Sequence, residues 1–191
     1  MEDRILFVDD EENILAAFRR QLRNQFAIET VSRGQLALDI LSTTGPYAVV
    51  VADMRMPVMD GVEFLTRVKE ISPDTVRVML TGFADLTTAI DAINDGNIFR
   101  LLTKPCPTDI LVKTLGDALE QHRLITAEKV LLDKTLSSSI RLLVDVLSMV
   151  SPGAFSRTLR IRTIVRQLIK SLNLHISWEY ELAGLMSQIG F

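Results

Sequence analysis

Five short apolar runs alternate with segments of helical periodicity up to about residue 120. The runs are "RILFV" (4–8), "FAIETV" (26–31), "YAVVVAD" (47–53), "TVRVMLTG" (75–82) and "IFRLLTK" (98–104). Strands that are apolar along nearly their whole length are typical of a parallel sheet covered by helices on both faces. The alternation therefore predicts an α/β fold with a five-stranded, doubly wound parallel sheet and right-handed crossovers.

Polar side chains stand at the ends of four of these runs. Asp9 and Asp10 follow the first run, Asp53 ends the third, Thr81 closes the fourth and Lys104 the fifth. Each alone has a structural alternative, because Asp caps helices, Thr is common in strands and Lys before Pro is usually solvated. Ligands of parallel sheets collect beyond the carboxyl ends of the strands, so all five are expected at one rim.

The charges of this group indicate its chemistry. Three carboxylates cannot share a small rim at neutral pH without a compensating cation. Oxygen ligands without His or Cys suit Mg²⁺, the usual ion where phosphate is handled. A carboxylate beside Mg²⁺, a lysine and a hydroxyl is a site for an incoming phosphoryl group, with Asp53 as the nucleophile.

Four motifs in the same order resemble the receiver domain of bacterial two-component response regulators. They are "VDDEE", "VVADMRMPVMDG", "MLTG" and "LLTKP", and they lie within residues 1–122. The resemblance implies a flavodoxin-like fold and a sensor histidine kinase that phosphorylates Asp53. It also implies that Thr81 and Lys104 contact the phosphoryl oxygens. The implied ligands of Mg²⁺ are Asp10, Asp53, the backbone carbonyl of Arg55 and, usually through water, Asp9.

One departure from the family pattern concerns the conformational switch. The family often has an aromatic residue three positions before the lysine, where this chain has Leu101. Leucine offers neither a reorienting ring nor a hydroxyl. Phe99 lies on the same face of an alternating strand and is a candidate substitute, with core packing as the alternative.

A long helical pattern follows from Thr108 to Val150 without an internal proline. Apolar residues alternate by four and three along it, with polar interruptions, which is the pattern of a coiled coil. This seam comprises Leu111, Leu115, Ala118, His122, Ile125, Lys129, Leu132 and Leu136. We expect residues 123–150 to form a helical connector that pairs two protomers in a homodimer. The alternative is one long helix packed against its own chain.

Residues 151–191 begin with the helix breaker "SPGAF" and continue with an all-α pattern. An apolar stripe comprises Ile161, Ile164, Val165, Leu168, Ile169 and Leu172. This segment resembles the start of an HD-type domain, most closely the HD-GYP outputs of cyclic-di-GMP phosphodiesterase regulators. We expect it to be an incomplete, degenerate domain of a truncated chain.

The HD-type pattern lacks its metal ligands in this chain. Leu159 stands where active relatives have a histidine, and Ser187 and Gln188 replace the His-Asp pair. Neutral side chains of these types cannot replace imidazole and carboxylate in a catalytic metal site. His175 lies in a connection between helices and is expected to be solvated. The output is therefore predicted to be non-catalytic.

Three functions remain open at this point. The first is a phosphorylation-controlled switch that acts through a non-catalytic helical module on an unknown downstream protein. The second is a regulator of a cyclic-di-GMP phosphodiesterase whose catalytic part is absent or degenerate. The third is an aspartyl-phosphate phosphatase or phosphotransferase, which usually has two acids two residues apart after its first strand, whereas Asp9 and Asp10 are adjacent.

Composition narrows the cellular setting. A net charge of -3 on 191 residues provides no electrostatic footprint for nucleic acid, so no nucleic-acid partner is expected. The single cysteine, Cys106, excludes an intramolecular disulfide framework and favours a reducing compartment. Without a signal sequence or an apolar run of ~18 residues, the chain is expected to be cytoplasmic, with no membrane partner.

Overall fold

The apolar runs form the strands of one parallel sheet. A computed structural model describes residues 3–82 and 98–150, together with the isolated helical positions 163, 164, 167, 168 and 171. Its strands are β1 (Arg4–Val8), β2 (Ala27–Val31), β3 (Val49–Asp53), β4 (Val76–Thr81) and β5 (Arg100–Thr103). They are hydrogen-bonded in the order β2-β1-β3-β4-β5, and every neighbouring pair is parallel. The predicted five-stranded parallel sheet is confirmed.

Helices cover both faces of this sheet. They are α1 (Glu12–Leu22), α2 (Gly34–Thr44), α3 (Gly61–Ile71) and α4 (Thr108–Val150). One core combines α2 and α3 with one face of the strands and contains Leu38 and Phe64. The other core combines α1 and α4 with the opposite face and contains Leu15 and Leu115. The helix predicted between the fourth and fifth strands lies outside the described residues.

The chain divides into two compact units. The first comprises Met1–Thr126 and the second Ala127–Phe191. The domain boundaries at residues 122 and 150 stay predictions. Within the described residues, no helix combines the length and the apolarity that crossing a membrane requires.

The first part of α4 belongs to the core of the first unit. Leu111, Leu115 and Ala118 are at most 1% exposed and pack against the sheet. These side chains are unavailable to a partner helix, so the predicted interprotomer seam is wrong for this part of the helix. Farther along, Leu132 is 56% exposed and Leu136 is 45% exposed.

Side chains near residue 122 fix α4 to the first unit. His122 Nδ1 lies 2.9 Å from the backbone oxygen of Asp74, and Arg123 Nε donates a hydrogen bond of 3.0 Å to Asp3. This seam histidine therefore makes a contact within its own chain.

Most of the predicted all-α segment lies outside the described residues. The five described positions after residue 150 are helical, and Ile164 and Leu168 of the apolar stripe are about half exposed. Leu159, His175, Ser187 and Gln188 all lie outside the described residues.

Candidate functional site

Strand order brings the predicted polar residues to one rim of the sheet. Asp9 follows β1, Asp53 is the last residue of β3, Thr81 ends β4 and Lys104 follows β5. The strands β1, β3, β4 and β5 are consecutive neighbours, and all run in the same direction. Their carboxyl ends therefore meet at the same rim, as the sequence predicts.

Lys104 joins two of the carboxylates at this rim. Its Nζ lies 2.7 Å from Asp9 Oδ2 and 2.6 Å from Asp53 Oδ1. Its backbone N–H donates a hydrogen bond of 2.7 Å to the carbonyl of Thr81, which ties the lysine to the end of β4. Burial lowers the pKa of Lys104, but hydrogen bonds and attraction from Asp53 and Asp9 outweigh it, so its pKa lies above the ordinary value. The lysine is therefore held as a cation.

A third carboxylate, Asp10, lies beside the two that Lys104 bridges. Asp9, Asp10 and Asp53 each offer an oxygen within 4.8 Å of the others. Asp9 and Asp53 are buried, whereas Asp10 is exposed. Three negative charges against one positive charge leave an excess that suits a small divalent cation with oxygen ligands. The donor set fits Mg²⁺.

Backbone N–H groups orient the two buried carboxylates. The N–H of Glu11 donates a hydrogen bond of 3.0 Å to Asp9 Oδ1, and that of Arg55 donates one of 3.0 Å to Asp53 Oδ2. Each aspartate therefore has one oxygen fixed by the following loop and one facing Lys104. Arg55 itself is exposed and lies next to the cluster in sequence.

The hydroxyl of Thr81 is fully buried and has one proton to share between two acceptors. It donates to Met54 Sδ at 3.4 Å and to the carbonyl of Gly82 at 3.1 Å. Sulfur is a poor acceptor, so a new acceptor would compete mainly with the carbonyl of Gly82 for this proton. Sequence reasoning missed Met54; its position directly after Asp53 was the available signal.

Gly61 brings the start of α3 against the acceptor strand. Its N–H donates a hydrogen bond of 2.8 Å to the carbonyl of Met54. A Cβ at this position would lie 2.2 Å from the backbone oxygen of Asp53, so no side chain fits. Asp60 caps the helix by accepting a 2.8 Å hydrogen bond from Glu63 N–H. Sequence reasoning missed this positioning role of Asp60 and Gly61, although both end the motif that contains Asp53.

The two candidate switch residues differ in burial. Leu101 is partly buried and packs against the core formed with α2 and α3. Phe99 precedes β5, is 38% exposed and has the Arg100 guanidinium carbon 5.5 Å from its ring centroid. Core packing, the alternative that the sequence analysis kept for Phe99, does not agree with this exposure.

Comparison with known proteins agrees with this geometry. Residues 5–116 match the family described as the response regulator receiver domain. The chain belongs to this family. Phosphorylation and the use of Mg²⁺ at an acidic pocket are typical of receiver domains, which sensor histidine kinases phosphorylate.

Similar proteins carry this domain in different settings. The hydrogenase transcriptional regulatory protein HoxA of Bradyrhizobium diazoefficiens is 36% identical over 124 residues, which are 65% of this chain and 25% of that protein. A crystal structure of adenylate cyclase from Rhodopirellula baltica is 39% identical, with a TM-score of 0.69 over 70% of this chain and 99% of that one. The signal receiver domain of an HD domain-containing protein from Pseudomonas fluorescens Pf-5 is 32% identical. Its TM-score is 0.61, over 64% of this chain and 98% of that one.

The family match and the curated relatives cover the receiver part of this chain and only a small part of each relative. This chain spans only about a quarter of the length of the curated relatives that it matches first. The family match ends at residue 116, before most of α4. What the remainder of each relative does is a property of that relative.

Proposed function

We propose that this chain is a response regulator switch in which Asp53 accepts a phosphoryl group from a phosphohistidine of a sensor kinase. The observation that carries the proposal is the bridge from Lys104 to Asp53 and Asp9 within a cluster of three carboxylates. Such an arrangement holds one nucleophilic oxygen, a fixed cation and an excess of negative charge at the same rim. These are the parts that phosphoryl transfer requires.

The transfer is a substitution at phosphorus. An oxygen of the Asp53 carboxylate attacks the phosphorus atom, the new O–P bond forms, and the P–N bond to the donor histidine breaks. The leaving imidazole keeps the electron pair and takes up a proton from solvent. Because the hydrogen bond from Arg55 N–H fixes one Asp53 oxygen, the carboxylate is oriented before the donor arrives.

Asp9, Asp10, Asp53 and the backbone carbonyl of Arg55 would hold Mg²⁺, with Asp9 acting through water. The ion supplies charge neutralisation for the carboxylates and for the incoming phosphoryl oxygens. The buried carboxylates are already oriented by backbone N–H groups, which lowers the cost of organising them around a cation.

Lys104 and Thr81 respond to the new charge. Phosphorylation replaces the carboxylate of Asp53 by a more highly charged group, so the Lys104 ammonium shifts from Asp53 Oδ1 to the phosphoryl oxygens. The Thr81 hydroxyl leaves Met54 Sδ and the carbonyl of Gly82 and donates to a phosphoryl oxygen, which is a stronger, charged acceptor. Leu101 and Phe99 remain the switch candidates, with Phe99 already at the surface.

Labelling by a small phosphodonor tests the acceptor. Acetyl phosphate with Mg²⁺ should add one phosphoryl group, measured by intact mass, and Asp53→Asn should abolish the addition. Asp60→Asn is the matched control, because it changes another loop carboxylate while asparagine keeps the helix cap. Full labelling of the Asp53→Asn variant would remove Asp53 from this role.

Removing the lysine separates acceptance from response. Lys104→Ala should leave the fold intact while it weakens the conformational response to phosphorylation, because it removes the counter-charge. Comparison of hydrogen exchange with and without acetyl phosphate measures this response. An unchanged response in Lys104→Ala would show that another group carries it.

For the output we propose a non-catalytic helical module with a protein as its downstream partner. Leu159, Ser187 and Gln188 at the HD-type ligand positions support this, since they cannot hold a catalytic metal pair. The receiver of this chain is similar to that of an HD domain-containing protein, so a phosphodiesterase regulator stays the second candidate function. Absence of nucleic-acid binding stays a prediction, because several relatives are transcriptional regulatory proteins.

An activity measurement distinguishes these outputs. The purified chain, supplied with Mn²⁺ or Fe²⁺, should not hydrolyse cyclic-di-GMP, as followed by chromatography of the products. Turnover that persists after further purification and follows the protein peak would contradict a non-catalytic output.

A further inference from the structure

Met54 connects the strand of the phosphoacceptor to the Thr81 hydroxyl. Its backbone N–H donates a hydrogen bond of 2.9 Å to the carbonyl of Leu80, and its own carbonyl accepts one of 2.8 Å from Gly61 N–H. These bonds fix the backbone of Met54 beside the end of β4, while its unbranched side chain keeps three rotatable bonds. The side chain is 7% exposed and belongs to the core formed with α2 and α3. Its sulfur is therefore held inside the protein, 3.4 Å from Thr81 Oγ1.

We infer, on the basis of the proposed function, that Met54 is a positioning residue of the phosphorylation switch and acts through Thr81. On phosphorylation the Thr81 hydroxyl turns from Met54 Sδ and the Gly82 carbonyl to a phosphoryl oxygen. The stronger these two acceptors are, the more this turn costs. A thioether accepts weakly, so Met54 fills the space beside the hydroxyl and leaves the Gly82 carbonyl as the main competitor. Met54 therefore keeps the cost of the turn low.

The surroundings of the hydroxyl single out Met54 for this role. In the part of the chain that the structure describes, no other side chain accepts a hydrogen bond from Thr81. Thr81 is fully buried, so bulk water is not an acceptor either. Leu101, at the position of the family's aromatic switch residue, packs against the same core and has no polar side-chain atom. The side chain that decides how readily Thr81 turns is therefore that of Met54.

Two substitutions of Met54 change the acceptor in opposite directions. Met54→Leu removes the sulfur and keeps the apolar bulk, whereas Met54→Gln adds an amide oxygen, which is a better acceptor. The probe is fluoroberyllate with Mg²⁺, a small anion that binds an aspartate carboxylate in place of a phosphoryl group, titrated into the whole chain. Met54→Gln should weaken its binding by about fivefold, the equivalent of one hydrogen bond. Met54→Leu should tighten it by about twofold, because the lost acceptor is weak.

Removing the hydroxyl separates positioning from packing. Thr81→Val keeps the shape of the side chain without its proton, so in this background each Met54 variant should change binding by less than about 1.5-fold. Met79→Leu is the matched control, because Met79 is fully buried in the same core, and it should change binding equally little. Circular dichroism checks that each variant folds. If Met54→Gln does not fold, Met54→Leu and its combination with Thr81→Val carry the test.

The methyl signal of Met54 reports the contact directly. In the nuclear magnetic resonance spectrum of the chain with isotope-labelled methionine methyl groups, the signal that Met54→Leu removes is that of Met54. Fluoroberyllate should shift this signal, and Thr81→Val without the anion should shift it in the same direction, because both take the O–H away from Sδ. The signal of Met79, identified in the same way, should move less.

Three results would overturn the role of Met54 and leave the proposed function intact. They are wild-type binding of fluoroberyllate by Met54→Gln, an effect of Met54 that persists in Thr81→Val, and equal effects of Met54→Leu and Met79→Leu. If the wild type neither bound fluoroberyllate nor was labelled by acetyl phosphate, the proposed function would fail, and the role of Met54 with it.

Discussion

The two ends of the sheet carry polar clusters with different charge balance. At the carboxyl ends of the strands, Asp9, Asp10 and Asp53 lie close together, and the ammonium of Lys104 bridges Asp9 and Asp53. Toward the amino ends, Arg4 Nη1 lies 3.3 Å from Glu29 Oε1, and the guanidinium carbon lies 4.5 Å from the centroid of the Tyr47 ring. The Tyr47 hydroxyl donates to the other oxygen of Glu29.

This difference separates a binding site from a structural network. In the Arg4–Glu29–Tyr47 cluster, one cation and one hydroxyl satisfy one carboxylate within the chain. In the carboxylate cluster, the described contacts set one ammonium group against two of three neighbouring carboxylates, which leaves an excess of negative charge among these four side chains. Both clusters hold buried or half-buried polar groups, so the charge balance, rather than burial, identifies the site.

The largest expected effect comes from the glycine that supports the acceptor. Gly61→Ala should lower the free energy of unfolding by about 2–4 kcal/mol and reduce labelling by acetyl phosphate, because its Cβ would displace the backbone at Asp53. Urea denaturation and intact mass measure the two effects. Gly116→Ala in α4 is the control: nothing lies within 4 Å of its Cβ, and it should stabilise by about 0.5–1 kcal/mol. If Gly61→Ala changed neither the free energy of unfolding nor the labelling, the backbone at Asp53 would accommodate the added Cβ without cost.

A smaller effect is expected at the amino end. Tyr47→Phe should lower the free energy of unfolding by about 1 kcal/mol, because Glu29 loses a hydrogen bond. Labelling of Asp53 by acetyl phosphate should be unchanged if the two clusters are independent, as the comparison requires. A slower labelling rate in this variant would show that the two ends of the sheet are coupled.

Removing one excess charge should have opposite effects with and without the metal. In EDTA, Asp10→Asn should raise the free energy of unfolding by about 0.5–1 kcal/mol, because repulsion from Asp9 and Asp53 falls. In millimolar Mg²⁺ the wild type should gain stability and the variant should gain less, because a ligand is missing. Urea denaturation in both buffers measures the difference. Equal gains from Mg²⁺ would exclude Asp10 as a ligand.

The last prediction concerns alkaline titration of Tyr47. Burial, the hydrogen bond to Glu29 and the negative charge of Glu29 raise its pKa from 10.0 to about 12, although Arg4 acts in the opposite direction. The folded state therefore holds this proton more tightly, so its contribution to stability is complete below pH 10 and is lost as pH rises through 12. Tyr180 is the other tyrosine of the chain, and Tyr180→Phe removes its signal. In this variant, ultraviolet absorbance of the folded protein should show ionised Tyr47 only near pH 12. Titration near pH 10 in a folded chain would contradict the raised pKa.

Sequence patterns determined the sheet and most of the rim. Apolar runs that end in Asp53, Thr81 or Lys104 predicted parallel strands and the convergence of their ends, because strand direction fixes where each end lies. Side-chain chemistry in that order was specific enough to predict the family and the donor set for Mg²⁺. The surroundings of Leu159, Ser187 and Gln188 lie outside the described residues, so the output remains a prediction.

Tertiary structure alone decided which partner each predicted surface contacts. The heptad pattern of α4 is continuous in sequence, yet Leu115 is buried against the sheet while Leu132 is exposed. Periodicity specifies the apolar side of a helix, but the covering surface depends on residues distant in sequence. The same reason applies to Gly61, which meets Asp53 only when α3 packs against β3, and to Met54, which meets Thr81 only when β3 pairs with β4.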